Sequence, residues 1–280
     1  MTRVLSNTGM KTYLAAPIGF IAVLIFLVSG CRADESLPVR QWNVNGVTRE
    51  ALVYVPASTT AKVAPVIFAF HGHGGSMQRV SRIWEYQKLW PEAIVVYMQG
   101  LKTPGQITDP EGTKTGWQRQ VGDQQDRDLQ FFDVVLNSLK KQYQVDAKRI
   151  YATGHSNGGS FTYLLWQARP AVFAAFAPSA AVARHLVWRN PHFVPRPAFI
   201  IAGKADPLVK FSGQQKMIDA LRKLNHCEEG HPWKVNEKST FYPSTSHAPI
   251  VTDIHPGGHV VPSDAPAQVV RFFQSQQLPE

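Results

Sequence analysis

Residues 149–166 read "RIYATGHSNGGSFTYLLW". The first half, Arg149 to Thr153, is an apolar run that suits a buried strand. The second half, Phe161 to Trp166, suits a helix that packs on it. Between them lies Gly154-His155-Ser156-Asn157-Gly158, a Gly-x-Ser-x-Gly turn. Strand, sharp turn and helix in this order predict a serine held in a strained backbone conformation, its hydroxyl exposed above a sheet. Gly154 and Gly158 are expected because a side chain at either place would strike the neighbouring strand or helix. Ser156 would also stand at a helix N-terminus, where free N–H groups favour developing negative charge.

An exposed serine hydroxyl needs a base, and in this arrangement the order along the chain is serine, acid, histidine. The histidine should lie in the loop before the last helix. "DIHPGGHVVPSDAP" supplies His255 and His259, and His259 is favoured because Gly257 and Gly258 let the backbone approach the turn. The acid should follow a late buried strand. "PAFIIAGKADPLVKF" puts Asp206 there, whereas Asp253 reads as part of a strand and Asp264 as the cap of the closing helix. An oxyanion would need two backbone N–H donors. Asn157, directly after the serine, supplies one; the loop "FAFHGHGGSM" supplies the other through His73, with Gly74 as the alternative. His71 and His73, with His155 or His255, could instead form a zinc site. No carboxylate neighbours them, so no metal is expected, and His71 reads as a packed residue bracing its loop. Trp117, in "KTGWQRQVGD", is a candidate aromatic wall of the substrate cleft, with packing as its alternative role.

The rest of the chain fits around this centre. "VRQWNVNGVTREALVYVP" predicts a hairpin about Asn45-Gly46. "APVIFAFHG", "EAIVVYMQG", "FAAFAPSA" and "PAFIIAG" are further buried-strand candidates. "STFYP" and "APIVTDI" are later strands. "DRDLQFFDVVLNSLKKQY", "SGQQKMIDALRKLN" and "APAQVVRFFQSQ" have apolar residues at helical spacing. Buried strands alternating with helices predict an α/β fold: a mainly parallel central sheet with helices on both faces and an N-terminal antiparallel hairpin.

Residues 1–30 stand apart. Arg3 and Lys11 precede the apolar run "FIAVLIFLVSG", which is too short for a comfortable membrane span and ends in "LVSGC". This resembles a bacterial lipobox and implies a signal peptide over 1–30, lipidation of Cys31, a tether over 31–38 and a catalytic domain over 39–280. An ordinary secretory signal or an uncleaved anchor are the alternatives. The expected location is the cell envelope, with the membrane touched only through the lipid. The chain has 280 residues, 44% of them hydrophobic, enough for one sizeable core. The net charge of +9 is scattered, which reads as a solvated surface or a preference for anionic polysaccharide or envelope surfaces. Without a basic stripe interleaved with aromatics, nucleic-acid binding is disfavoured. The chain holds two cysteines; if Cys31 carries lipid, Cys227 has no partner and no disulfide forms.

"FHGHGGS", "YMQGL", "RIYATGHSNGGSFTYLL", "FAAFAPSAA", "GKADPLVKF" and "GGHVVP" together resemble, in order, segments of the polyhydroxybutyrate depolymerase and feruloyl esterase group. The resemblance runs from about Val47 to about Phe273. It implies an α/β-hydrolase fold, no cofactor, and export to act on bulky or polymeric esters, with Ser156, Asp206 and His259 in the positions of that group's triad. Many members have a late cysteine pair; here Cys227 stands alone, which leaves the stretch from Cys227 to His259 open. The expected protein is a monomeric serine esterase of feruloyl, acetyl or hydroxyalkanoate esters. Its rivals are a serine peptidase on the same fold and a catalytically silent binding lipoprotein. Trp188 and Phe193, in "RHLVWRNPHFVPRP", would form a rim of the site.

Overall fold

The hairpin at the N-terminus forms as its turn residues dictate. β1 (Val39–Val44) and β2 (Val47–Tyr54) pair antiparallel. Asn45 and Gly46 both take positive φ, at 51° and 83°, the pair of conformations a two-residue hairpin needs. This is a computed structural model, and it describes residues 1–2, 37–60, 62–105, 107–183 and 193–279. Residues 3–30 of the expected signal peptide, Cys31 and Trp188 lie outside the described residues. Every described strand and helix belongs to one compact unit, Leu37–Glu280.

The buried apolar runs become the parallel core of the sheet. They are β3 (Ala64–Phe70), β4 (Ile94–Met98), β7 (Val145–His155), β8 (Ala175–Ser179), β9 (Ala198–Gly203) and β12 (Ile250–His255). Two short strands, β5 (Leu101–Lys102) and β6 (Thr115–Gly116), pair separately. β10 (His231–Trp233) and β11 (Asn236–Tyr242) join the main sheet antiparallel next to β12. The order is β1-β2-β4-β3-β7-β8-β9-β12-β11-β10. Both margins are therefore antiparallel, not only the N-terminal one.

Helices cover both faces. On one face α3 (Arg127–Gln142), α4 (Asn157–Ala168) and α5 (Phe211–Leu224) bury Phe132, Phe161 and Leu221 against Phe68, Phe70 and Ile200. On the other, α1 (Met77–Trp84), the one-turn α2 (Tyr86–Leu89) and α6 (Ala265–Gln274) bury Trp84, Tyr86 and Phe273 against Ile67, Val95 and Tyr151. Successive strand residues point to opposite faces, so a strand covered on both sides must be apolar throughout. All seven residues of β3 are buried, as are all five of β4. Among the described residues no helix is long and apolar enough to cross a membrane.

Phe70, Gly154, Gly203 and His255 all stand at the C-terminal ends of parallel strands, and register pairs Phe70 with Gly154 and Gly203 with His255. The loops leaving these strands carry His71–Gly75, Ser156, Asp206 and His259. An open α/β sheet places its ligand crevice at this end of its strands.

Candidate active site

Ser156 sits between β7 and α4 with φ 56° and ψ −119°, a strained conformation for a residue with a side chain. The turn is held by the bond from Ser156 N–H to the Ser179 carbonyl at 2.8 Å and by Ser160 N–H to the Ser156 carbonyl at 2.9 Å. The two glycines have the steric role their spacing predicts. A Cβ on Gly154 would lie 2.3 Å from the Gly158 carbonyl oxygen. One on Gly158 would lie 2.3 Å from the Phe70 carbonyl oxygen. The helix can approach the strand only where both are absent.

Asp206, after β9, is buried and accepts four hydrogen bonds. The amides of Leu208 and Val209 donate to Oδ1 at 2.9 and 2.8 Å. His259 Nδ1 and Gln214 Nε2 donate to Oδ2 at 2.8 and 3.2 Å. Burial pushes the carboxyl upward, but His259 and the two amides outweigh it and hold Asp206 below the ordinary carboxylate range. An ionised Asp206 fixes the proton of neutral His259 on Nδ1 and leaves Nε2 as an acceptor. Ser156 and His259 line one open cleft of about 700 Å³ together with Gly72, His73, His155 and Asn157.

His255 does not share this arrangement. Its Nδ1 accepts the Gly257 amide at 3.1 Å. Asp253 lies within β12, and burial raises its carboxyl. Asp264 occupies the N-cap position of α6, yet its side chain makes no capping bond and accepts instead from Gln268 Nε2 at 3.0 Å.

The loop after β3 is braced more heavily than its sequence suggests. Gly74 N–H is committed to the Thr115 carbonyl at 2.7 Å, which removes the alternative oxyanion donor. His73 Nε2 meets Asp109 Oδ2 at 2.9 Å. The same carboxylate accepts from Thr113 N–H, Thr113 Oγ1 and Lys114 N–H at 3.0, 2.7 and 2.9 Å. The Thr113 hydroxyl and these further bonds hold Asp109 well below the usual carboxylate range. His71 is fully buried. Its Nδ1–H donates to the Gly72 carbonyl at 2.8 Å, and its Nε2 accepts the Gly100 amide at 3.0 Å. Burial lowers its pKa to about 4, so it stays neutral. With both ring nitrogens engaged by the protein, His71 has none to offer a metal.

Trp117 is not a wall of the cleft. Its side chain is 0% exposed, packed against Phe70 and Phe161, and its indole N–H donates to the His71 carbonyl at 2.8 Å. The aromatic ring lies beneath the loop, in the core, which is the packing role of the two considered. Phe193 is likewise buried, against Trp166, so it forms no rim. Asn157 carries a function its sequence position did not signal. Its side chain accepts from Trp117 N–H at 2.7 Å and donates to the Trp117 carbonyl at 3.0 Å. Residue 157 thus ties the Ser156 turn to a loop forty positions earlier. His155 has its Nδ1 3.2 Å from Ser179 Oγ, and its ring centre is 4.7 Å from that of His259. Burial, then the neighbouring His259, lowers its pKa to about 4.

The stretch between Cys227 and His259 has a polar fastening. Cys227 is free, and it pairs as an antiparallel bridge with Ser244. The Ser244 hydroxyl donates to the Asn225 carbonyl and accepts the amides of Ser246 and Ala248. These bonds hold the segment with no covalent cross-link.

Comparison with known proteins agrees with this architecture. A sequence model of the prolyl oligopeptidase family matches residues 112–195. The chain is 27% identical over 205 residues to a bifunctional acetylxylan esterase/xylanase of Neocallimastix patriciarum; the match covers 70% of this chain and 28% of that much longer one. It is 26% identical over 259 residues to feruloyl esterase C of Emericella nidulans, over 88% of this chain and 90% of that one. Among solved structures, it is similar to an acetyl xylan esterase from Aspergillus awamori, with a TM-score of 0.65, 13% identity, and coverage of 85% of this chain and 99% of that one. It is also similar to a ferulic acid esterase, with a TM-score of 0.60, 16% identity, and coverage of 84% and 96%.

Proposed function

We propose that this chain, an esterase of the α/β-hydrolase fold related to the feruloyl and acetylxylan esterases, cleaves carboxylic esters through Ser156, His259 and Asp206. The observation that carries the reading is the 2.8 Å bond from His259 Nδ1 to buried Asp206, with His259 opening on the same cleft as the strained Ser156. His259 Nε2 takes the Ser156 proton as Oγ attacks the ester carbonyl. The amides of Asn157 and His73 bind the oxyanion. The alcohol leaves with the proton from His259, and the acyl group stays on Ser156. Water, deprotonated by His259, then releases the acid and restores the serine. Asp206 remains ionised throughout and stabilises the imidazolium.

The relatives favour feruloyl or acetyl esters of polysaccharide as substrates, with hydroxyalkanoate polyesters next. Export and lipidation at Cys31 belong to the same proposal and rest on "LVSGC" alone. The prolyl oligopeptidase match keeps a peptidase as the second reading. The test is hydrolysis of 4-nitrophenyl acetate, methyl ferulate, a hydroxybutyrate oligomer and a peptide anilide by the chain and by Ser156→Ala. Ester turnover that disappears in the variant supports the esterase. Cleavage of the anilide as well as the esters turns the reading to a peptidase. A folded protein inert on all four and unreactive to a fluorophosphonate sinks both and points to the binding protein.

A further inference from the structure

The cleft before Ser156 is basic. Arg119, Lys210 and Lys216 line it, and among the described residues no aspartate or glutamate does. All three are exposed, and among the described residues none is paired with a carboxylate. They come from two separate segments. Arg119 follows Trp117 and Gln118, whose amides are fixed by Asn157 and Asp128 at 2.7 and 2.8 Å. Lys210 precedes α5 as its N-cap, and Lys216 lies within it.

Their placement on α5 runs against local helix electrostatics. Lys210 occupies the N-cap, Lys216 follows in the second turn, and the first turn holds no acidic residue. The positive end of a helix favours Asp, Glu or a capping Ser, Thr or Asn. Here the chain adds cations to an end that is already positive and turns it toward the cleft. A local rule broken without local compensation is expected where a site, not the fold, sets the residue. The remaining lining includes apolar Ile107, Val182, Leu208 and Val209. A neutral sugar ester offers the three cations hydroxyl and carbonyl acceptors but no opposite charge.

We infer that the preferred substrate is an ester bearing a carboxylate, bound through Arg119, Lys210 and Lys216 while Ser156 attacks the ester carbonyl. The inference rests on the serine-esterase reading above. The carboxylate could stand on the alcohol side, as in an esterified uronate sugar, or on the acyl side, as in a dicarboxylic half-ester.

Two matched pairs test it with the full chain. The acyl arm compares the 4-nitrophenyl half-ester of adipic acid with its methyl diester counterpart. The alcohol arm compares acetylated methyl glucuronide with acetylated methyl glucoside. The ratio of kcat/KM, charged over neutral, is read within each protein, so the amount of active enzyme cancels. The expected ratio is about tenfold in one arm at about 0.02 M salt, shrinking severalfold at about 0.5 M because exposed charges are screened. In Arg119→Gln/Lys210→Gln/Lys216→Gln it should fall toward one; should that variant not fold, the salt dependence of the wild type carries the test. Neutral esters hydrolysed with no charged preference in either arm overturn the inference and leave the esterase standing. A preference that survives in the triple variant overturns its assignment to these cations. No turnover of any ester above Ser156→Ala overturns both.

Discussion

Asp206→Asn isolates the electrostatic part of the proposed mechanism, because it keeps the shape of the side chain and exchanges an acceptor for a donor. The amide oxygen can keep the place of Oδ1, where Leu208 and Val209 donate. The amide nitrogen then faces His259 Nδ1 and Gln214 Nε2, both donors to the native carboxylate. Gln214 has a second acceptor in the Val209 carbonyl at 2.6 Å, so the conflict falls on His259. The imidazole resolves it by moving its proton to Nε2, the nitrogen that must receive the Ser156 proton. A base in the wrong tautomer lowers kcat by on the order of 10⁴, or about 5 kcal/mol of barrier. Loss of the charged bond to Gln214 costs about 1.5–3 kcal/mol, which lowers Tm by several degrees in a domain of this size. The assay is 4-nitrophenyl acetate turnover with a thermal melt of the same preparation, and Ser156→Ala sets the background. A folded Asp206→Asn that keeps more than a tenth of wild-type kcat would refute the assignment. Another group would then be orienting the imidazole.

Other perturbations test the scaffold. His71 is held neutral with its pKa near 4, below the ordinary 6.5. The unfolded chain therefore binds a proton there that the folded chain does not, and stability should be full above pH 6.5 and decline as pH falls toward 4. His71 alone contributes up to about 3 kcal/mol to that decline. Urea melts across this range check it, and His71→Gln should flatten the slope. Gly158→Ala brings a Cβ to 2.3 Å from the Phe70 carbonyl and 2.5 Å from that of His71, so the start of α4 must lift from β3. A loss of about 1–3 kcal/mol and of most activity is expected, and a wild-type melt with wild-type turnover would show the contact is relieved elsewhere. Asp109→Ala removes the carboxylate that fixes the His73 side chain. If His73 N–H is the oxyanion donor, kcat should fall about tenfold or more with KM little changed, and a change confined to KM would count against that role.

The parallel strands and the Gly-x-Ser-x-Gly turn were legible because they rest on local signals. Continuous apolar runs ending in glycine mark β3, β4, β7 and β9, and the Asn-Gly turn marks the hairpin. α1 was not legible: Met77–Trp84 carries Gln78, Arg79, Ser81 and Arg82 and buries only a narrow stripe. Its clear signal is a cap, Ser76 Oγ accepting Arg79 N–H at 3.2 Å. β10 and the pair β5 and β6 are only two or three residues long, too short for an apolar run or an alternating pattern to mark them.

The candidate site divides the same way. Ser156, Asp206 and His259 each follow a readable strand and a turn-forming sequence. The groups that hold them do not, because side-chain-to-backbone bonds across long separations leave no periodicity. Trp117 shows why. An aromatic in a polar, glycine-flanked loop reads equally as a cleft wall or an anchor, and exposure alone decides. Here its indole N–H reaches the His71 carbonyl while its own backbone is gripped at both ends by Asn157. His71 in turn receives the Gly100 amide, and Gly74 binds the Thr115 carbonyl. The loop around residue 117 is therefore hydrogen-bonded both to the β3 loop and to the Ser156 turn. None of the three can shift without leaving buried polar groups unpaired. The two histidines of this loop have structural work here: His71 supports the loop from within, and His73, which lines the cleft, is held by Asp109 through its side chain.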